Sequence, residues 1–190
     1  MAIAPERERP PQPVRWTREQ YHHMGELGWF VDARVELVEG EIVEMSPVKP
    51  RHWVAVGLVA AALRRAFAVG FVVREETALG LGRSEPEPEV AVIPGNLRDF
   101  VDALPQHPVL VVEVADSSLD YDRATKRRLY ARHAIPEYWI LNLQDDVLEV
   151  YREPDIEQEN YAPAVVLRTG DRVTPVAAPE VAIAVADLLP

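Results

Sequence analysis

Residues 108–141, PVLVVEVADSSLDYDRATKRRLYARHAIPEYWIL, decide the fold. From Val109 to Ala115 every position but Glu113 is apolar, the pattern of a strand covered on both faces and so placed centrally in a sheet. Ser and Asp residues then offer helix starts, helix formers follow, and Ile135-Pro136 stops the run, which predicts a helix from near Tyr121 to Ala134. EYWILNL supplies the next strand, and VLEVYRE follows it across a short hairpin turn at Gln144-Asp145-Asp146.

Working toward the N-terminus, EPEVAVIP and FVVREETALGLG read as two further strands. The alanine- and leucine-rich run from Arg51 to about Val69 reads as a helix, with Val54, Leu58, Ala61, Ala62 and Arg65 at helical spacing. RVELVEGEIVEMSP holds two alternating runs joined at Glu39-Gly40, a β-hairpin with Gly40 in the positive-φ position of the turn. Thr17 caps a short helix that Gly25 and Gly28 end. Residues 1–16 are polar, proline-rich and aperiodic and are expected to form a mobile arm. Toward the C-terminus, the chain offers a strand, a Thr-Gly-Asp turn and a short terminal helix. The expectation is an α/β (α+β) fold, one domain over residues 17–190 with a mixed β-sheet flanked by helices.

Composition narrows the function. With 190 residues and 48% hydrophobic content the chain can bury one sizeable core. It has no cysteine, which excludes disulfides, thiol catalysis and cysteine zinc sites. The start, MAIAPERERPPQPVRW, lacks the apolar core of a secretory signal, and Arg64-Arg65 interrupt the longest apolar window, so a cytoplasmic protein without a membrane span is expected. A net charge of −11 excludes non-specific coating of nucleic acid, which depends on neutralising phosphates, and confines any such contact to a local patch. Self-association into a homo-oligomer is left open.

Three residues carry the chemistry. Glu113 lies inside an apolar strand, and a buried carboxylate needs a partner, either an arginine in a structural ion pair or a metal ion. In EPEPEVAVIPG (85–95) the glutamates at 85, 87 and 89 share strand parity. Glu85 and Glu87 read as a solvated, proline-stiffened approach, whereas Glu89 begins the apolar run and can face inward beside Glu113. Two neighbouring carboxylates repel unless a cation lies between them, and Mg²⁺ (or Mn²⁺) asks for one or two carboxylates plus water and phosphate oxygens, so Glu89 and Glu113 suffice as metal ligands. Of 20 basic residues only Lys49 and Lys126 are lysines. Lys126 follows Glu113 by 13 residues, and its compact ammonium suits an attacking water or a phosphate oxygen, against the plainer reading of a solvated helix residue. Arg123, Arg127, Arg128 and Arg132 around it form a local basic stripe able to hold a DNA backbone.

The series ELVEGEIVEMSP, PEV, VVEVADSS and DRATKRRLYARHAIPEYWIL resembles a large bacterial family called putative restriction endonucleases, a branch of the PD-(D/E)xK nucleases, over roughly residues 17–155. YARHAIPEYWIL is its most specific piece. The resemblance implies a restriction-endonuclease-like core, with Pro88-Glu89 in place of the motif's Pro-Asp and Glu113 as its second acid. It also implies that the lysine expected two residues after that acid, where Ala115 stands, has moved to the helix as Lys126. An acid of the first hairpin, Glu36, completes the implied site.

Other motifs are absent. The five histidines form no HExxH pattern, although His52 is placed to touch the site, and no G-x-S-x-G, P-loop or dinucleotide-binding glycine pattern occurs. Trp16, Trp29, Trp53 and Trp139 are expected to pack in the core. Together these readings lead to the expectation of a divalent-metal-dependent endonuclease hydrolysing DNA phosphodiester bonds through Glu36, Glu89, Glu113 and Lys126, with a catalytically degenerate binding or assembly module as the alternative.

Overall fold

The computed structural model describes residues 12–190. Of the expected N-terminal arm, residues 1–11 lie outside the described residues. Its last residue is tied to the fold, since the Trp16 amide donates to the Gly40 carbonyl at 2.9 Å.

Thr17 caps helix α1 (Arg18–Glu26) through a capping box with Gln20. The hairpin β1 (Val35–Val38) and β2 (Glu41–Glu44) follows, turning at Glu39 and Gly40 with φ of 53° and 76°. A positive φ at both central residues makes a turn whose twist matches the strands, and Gly40 takes the second position without strain. Helix α2 (Pro50–Ala66) starts with proline, whose fixed φ suits the first helical turn. Then come β3 (Phe71–Glu75), β4 (Val90–Pro94) and β5 (Leu110–Ala115). A helical stretch returns the chain: α3 (Leu119–Tyr121), a π-helical turn (Asp122–Lys126) and α4 (Arg127–Arg132). Strands β6 (Glu137–Asn142) and β7 (Val147–Arg152), the pair β8 (Pro154–Asp155) and β9 (Asn160–Tyr161), β10 (Val165–Leu167), and the pair β11 (Arg172–Val173) and β12 (Ile183–Ala184) complete it, with a terminal 3₁₀ turn over Val185–Asp187.

The main sheet has six strands in the order β10-β7-β6-β5-β4-β3. All neighbours are antiparallel except β5 and β6, which run parallel and are joined by the helical stretch over one face. This is the mixed sheet flanked by helices that the sequence implies, with β5 among its inner strands and buried at all six positions.

Side-chain parity divides the core. Val90 and Val92 of β4, Leu110, Val112 and Val114 of β5, and Trp139 and Leu141 of β6 pack against α2 and the C-terminal turn. Ala91, Ile93, Val111, Ala115, Tyr138 and Ile140 pack on the other face against Leu129, Tyr130 and Ala131 of α4. Glu113 has the parity of Val111 and Ala115, so the strand delivers its carboxylate beneath the helical stretch. Among the described residues no helix is long and apolar enough to cross a membrane.

Three local expectations are corrected. The run after Phe71 leaves strand geometry at Glu76, whose φ of 43° turns the chain, so TALGLG forms loop rather than strand. Glu85 is not solvated: it is buried, its amide donates to the Leu37 carbonyl at 2.7 Å, and its carboxylate pairs with Arg18 and His22. Trp29 and Trp53 stand out from the core at 66% and 70% exposure, because α2 turns Trp53 away from its packed face of Ala55, Val56, Val59, Ala60 and Leu63.

Candidate active site

Two buried acids, Glu36 and Glu113, meet around one ammonium. Lys126 is fully buried, and its Nζ lies 2.6 Å from Glu36 Oε2 and 3.2 Å from Glu113 Oε1. Glu36 comes from β1 and Glu113 from β5, so hairpin, central strand and helical stretch each contribute one charge. An unpaired buried ammonium would lose its proton; beside two carboxylates it keeps it. Burial works against the charge on Lys126, but Glu113 and Glu36 outweigh it and hold its pKa above the usual lysine range.

Glu89 is the residue before β4, and the antiparallel register Val90↔Val112 sets it opposite Glu113. Its Oε2 accepts the Val114 amide at 3.1 Å, and its Oε1 lies 3.3 Å from Nε2 of His52 on α2. That register makes the two carboxyls neighbours, each acting on the proton affinity of the other. Burial, with the neighbouring Glu89, pushes Glu113 up to about 8 despite Lys126. Burial acts in the same sense on Glu89, but the hydrogen bonds from Glu113 and His52 outweigh it and hold this carboxyl below its ordinary range. The sequence reading thus places all four of its site residues in one cluster, and His52 at its edge.

Three members escaped it. Asp122 is buried, accepts a hydrogen bond from Ser118 Oγ at 2.6 Å, and is raised to about 7 by burial and by Glu113. Tyr130 donates its hydroxyl to Glu113 Oε1 at 2.5 Å. Tyr138 donates to the Asp122 carbonyl at 3.2 Å. Ser118, Asp122, Lys126 and Tyr130 are spaced by four, a pattern visible in the sequence. Steps of four overshoot an α-helical turn by about 40° each, and the wider π-turn corrects the drift so that the residues share one face.

A pocket of about 270 Å³ opens beside the cluster, with Glu89, His52, Tyr121 and Asp116 on its wall and Lys49 and Arg34 among its other residues. Lys49 faces Asp116 at 2.7 Å. The basic stripe is less free than its sequence suggests. Arg123 pairs with Glu149, Arg128 with Glu159, and Arg132 with both Glu39 and Glu159, while Arg127 lies over the Tyr151 ring. Among the described residues no three His, Asp or Glu side chains are arranged to hold a metal ion as they stand.

A family model described as "Uma2: Putative restriction endonuclease" matches residues 18–186. No curated protein matches the chain. Among solved structures, a crystal structure described as a putative nuclease belonging to DUF820 from Anabaena variabilis superposes with a TM-score of 0.71 at 15% identity, covering 93% of this chain and 97% of that one. At that identity the likeness is one of fold.

Proposed function

Because the chain belongs to the Uma2 family of putative restriction endonucleases, we propose that the cluster of Glu36, Glu89, Glu113 and Lys126 is the site of a divalent-metal-dependent endonuclease that hydrolyses DNA phosphodiester bonds. The observation that carries the reading is the buried ammonium of Lys126 between carboxyls from two separate strands, beside a pocket that reaches Glu89. A purely structural ion pair needs one acid. Here Glu36, Glu89, Glu113 and Asp122 are all buried, more carboxyls than one ammonium pairs with, and burial keeps protons on Glu113 and Asp122 that a cation would replace.

The donor set fits Mg²⁺ or Mn²⁺, which prefer hard carboxylate oxygens. Glu89 and Glu113 face each other across β4 and β5 and push each other's proton affinity apart, a place where a cation would satisfy both. Such a cation supplies Lewis-acid polarisation of a phosphoryl oxygen and acidifies an attacking water. The protein's own residues do the rest. Tyr130 and the Val114 amide fix the orientation of Glu113 and Glu89. Glu36 holds Lys126 as a charged donor, able to position water or steady the charge that builds on the phosphate. The stripe arginines are largely engaged by acids, and Lys49 and Arg34, themselves paired with Asp116 and Glu76, are the basic residues of the pocket and the candidates there for contact with the DNA backbone. A DNA substrate and a cysteine-free chain agree with a cytoplasmic protein.

Purified protein incubated with supercoiled DNA tests this. Nicking that requires Mg²⁺ or Mn²⁺ and stops with chelator is expected; no nicking with either metal contradicts it. The second reading, a binding module that keeps the fold, is favoured by the tight engagement of Lys126 with Glu36 and Glu113. It predicts no rise in melting temperature with metal, whereas a ligand bound only by the folded state stabilises it by about 2.7 kcal/mol at a hundred times Kd.

A further inference from the structure

We propose that His52 is a positioning residue of the cation site, its imidazole holding the Glu89 carboxylate in place for a divalent ion shared with Glu113. The inference rests on the reading of Glu89 and Glu113 as the metal-binding acids.

Glu89 is engaged at both of its carboxylate oxygens. Oε2 accepts the Val114 amide at 3.1 Å, and Oε1 lies 3.3 Å from Nε2 of His52. The two holders come from separate elements, the amide from β5 and the imidazole from the first turn of α2. The terminal torsion of a glutamate is broad, so a bond to one oxygen leaves the carboxylate plane unfixed, and a contact at the other oxygen fixes it. Nδ1 of His52 is buried with no hydrogen-bond partner among the described residues, so Nε2 is the nitrogen through which the ring acts.

The contact is not what docks α2. That helix is held to the sheet by Ala55, Val56, Val59, Ala60 and Leu63, all beyond His52 in the chain. His52 and Glu89 meet instead at the pocket wall, their side chains 13% and 11% exposed. Helix α2 covers the face of the sheet that carries Val112 and Val114, whereas Glu113 has the parity of the opposite face. The imidazole thus reaches Glu89 from the layer across the sheet from Lys126 and Tyr130, and among the described residues no three His, Asp or Glu side chains are arranged to hold a metal. His52 therefore orients a ligand rather than binding the ion. A carboxylate ordered before the ion arrives has less freedom to lose, and supporting contacts of this kind are worth about 10–100-fold in metal affinity.

Mn²⁺ alone is the probe. Its binding to the full chain is measured by calorimetry for wild type, His52→Leu and His52→Gln, each also melted in chelator. His52→Leu is expected to bind Mn²⁺ about tenfold or more weakly, with a melting temperature in chelator within a few degrees of wild type. His52→Gln, whose side-chain amide restores a donor, is expected to recover most of the affinity. The electron-spin-echo spectrum of Mn²⁺ on wild type is expected to show no directly bound nitrogen. Equal affinity in wild type and His52→Leu, a glutamine variant no better than the leucine one, or a nitrogen coupling lost in His52→Leu would overturn the assignment. So would a fall in melting temperature in chelator, in both variants, that accompanies the loss of affinity. Absence of Mn²⁺ binding by wild type removes the metal site and this assignment with it. Binding that His52→Leu weakens, in a protein that does not nick DNA, keeps His52 in its role and removes the nuclease reading.

Discussion

Glu113 and Lys126 show how a buried charge is made tolerable. With Glu113 raised to about 8, a glutamine there resembles the protonated acid at neutral pH, so Glu113→Gln is expected to keep its melting temperature at pH 7 within a few degrees. Lys126→Ala is different: it leaves Glu36 and Glu113 buried without their cation and is expected to cost about 3–5 kcal/mol, read by denaturant unfolding, with Glu36→Gln in the same chain restoring part of the loss. The raised acids also set the pH dependence. From about 4.5, the ordinary value for Glu113, up to about 8, the folded chain holds protons on Glu113 and Asp122 that the unfolded chain has released. Stability without metal therefore falls as pH rises through that window, and raised His52 acts in the same direction. Melting curves in chelator from pH 5 to 8 check this, and Glu113→Gln should flatten the slope. At this scale much was legible in the sequence. A lone glutamate in VLVVEVA demands a partner, and one of two lysines among eighteen arginines invites a question. The burial of Glu85 was not legible, because Arg18 and His22, its partners, are more than sixty residues away.

Secondary-structure elements fix where these charges meet. The β1–β2 hairpin delivers Glu36, and its turn depends on Gly40, where a Cβ would meet Arg15 Cβ at 2.9 Å and the Trp16 carbonyl oxygen at 3.1 Å. Gly40→Ala combines that crowding with a positive φ and is expected to lower stability by about 1–2 kcal/mol in denaturant unfolding. The strand, helix and strand of residues 108–141 were readable from periodicity and punctuation, and β5 and β6 formed where expected. The π-turn was not, since the same helix formers suit an α-helix, and what widens the turn is the packing of Lys126 and Tyr130 onto Glu113. The tryptophans misled for a related reason: hydrophobicity favours burial, but the position of Trp53 around α2 is decided by the sheet that α2 covers.

On the scale of the whole molecule, a protein with a net charge of −11 gathers Glu36, Glu89, Glu113 and Asp122 in one cluster beneath the helical stretch and neutralises most of its arginine stripe by pairing. The mixed sheet and its flanking helices follow the sequence closely, and the family match spans nearly the whole described chain. The order of the strands was not readable, because pairing partners are chosen by faces that close only in three dimensions. The central claim is that one cluster both gathers the acids and hydrolyses DNA. The most direct measurement is the single-turnover nicking rate of supercoiled DNA at saturating Mg²⁺ for wild type and Glu113→Gln, prepared identically and matched for melting temperature. A fall of about 100-fold or more in the variant is predicted, in line with the cost of removing one electrostatic group from a reaction centre; equal rates in the two proteins would contradict the account.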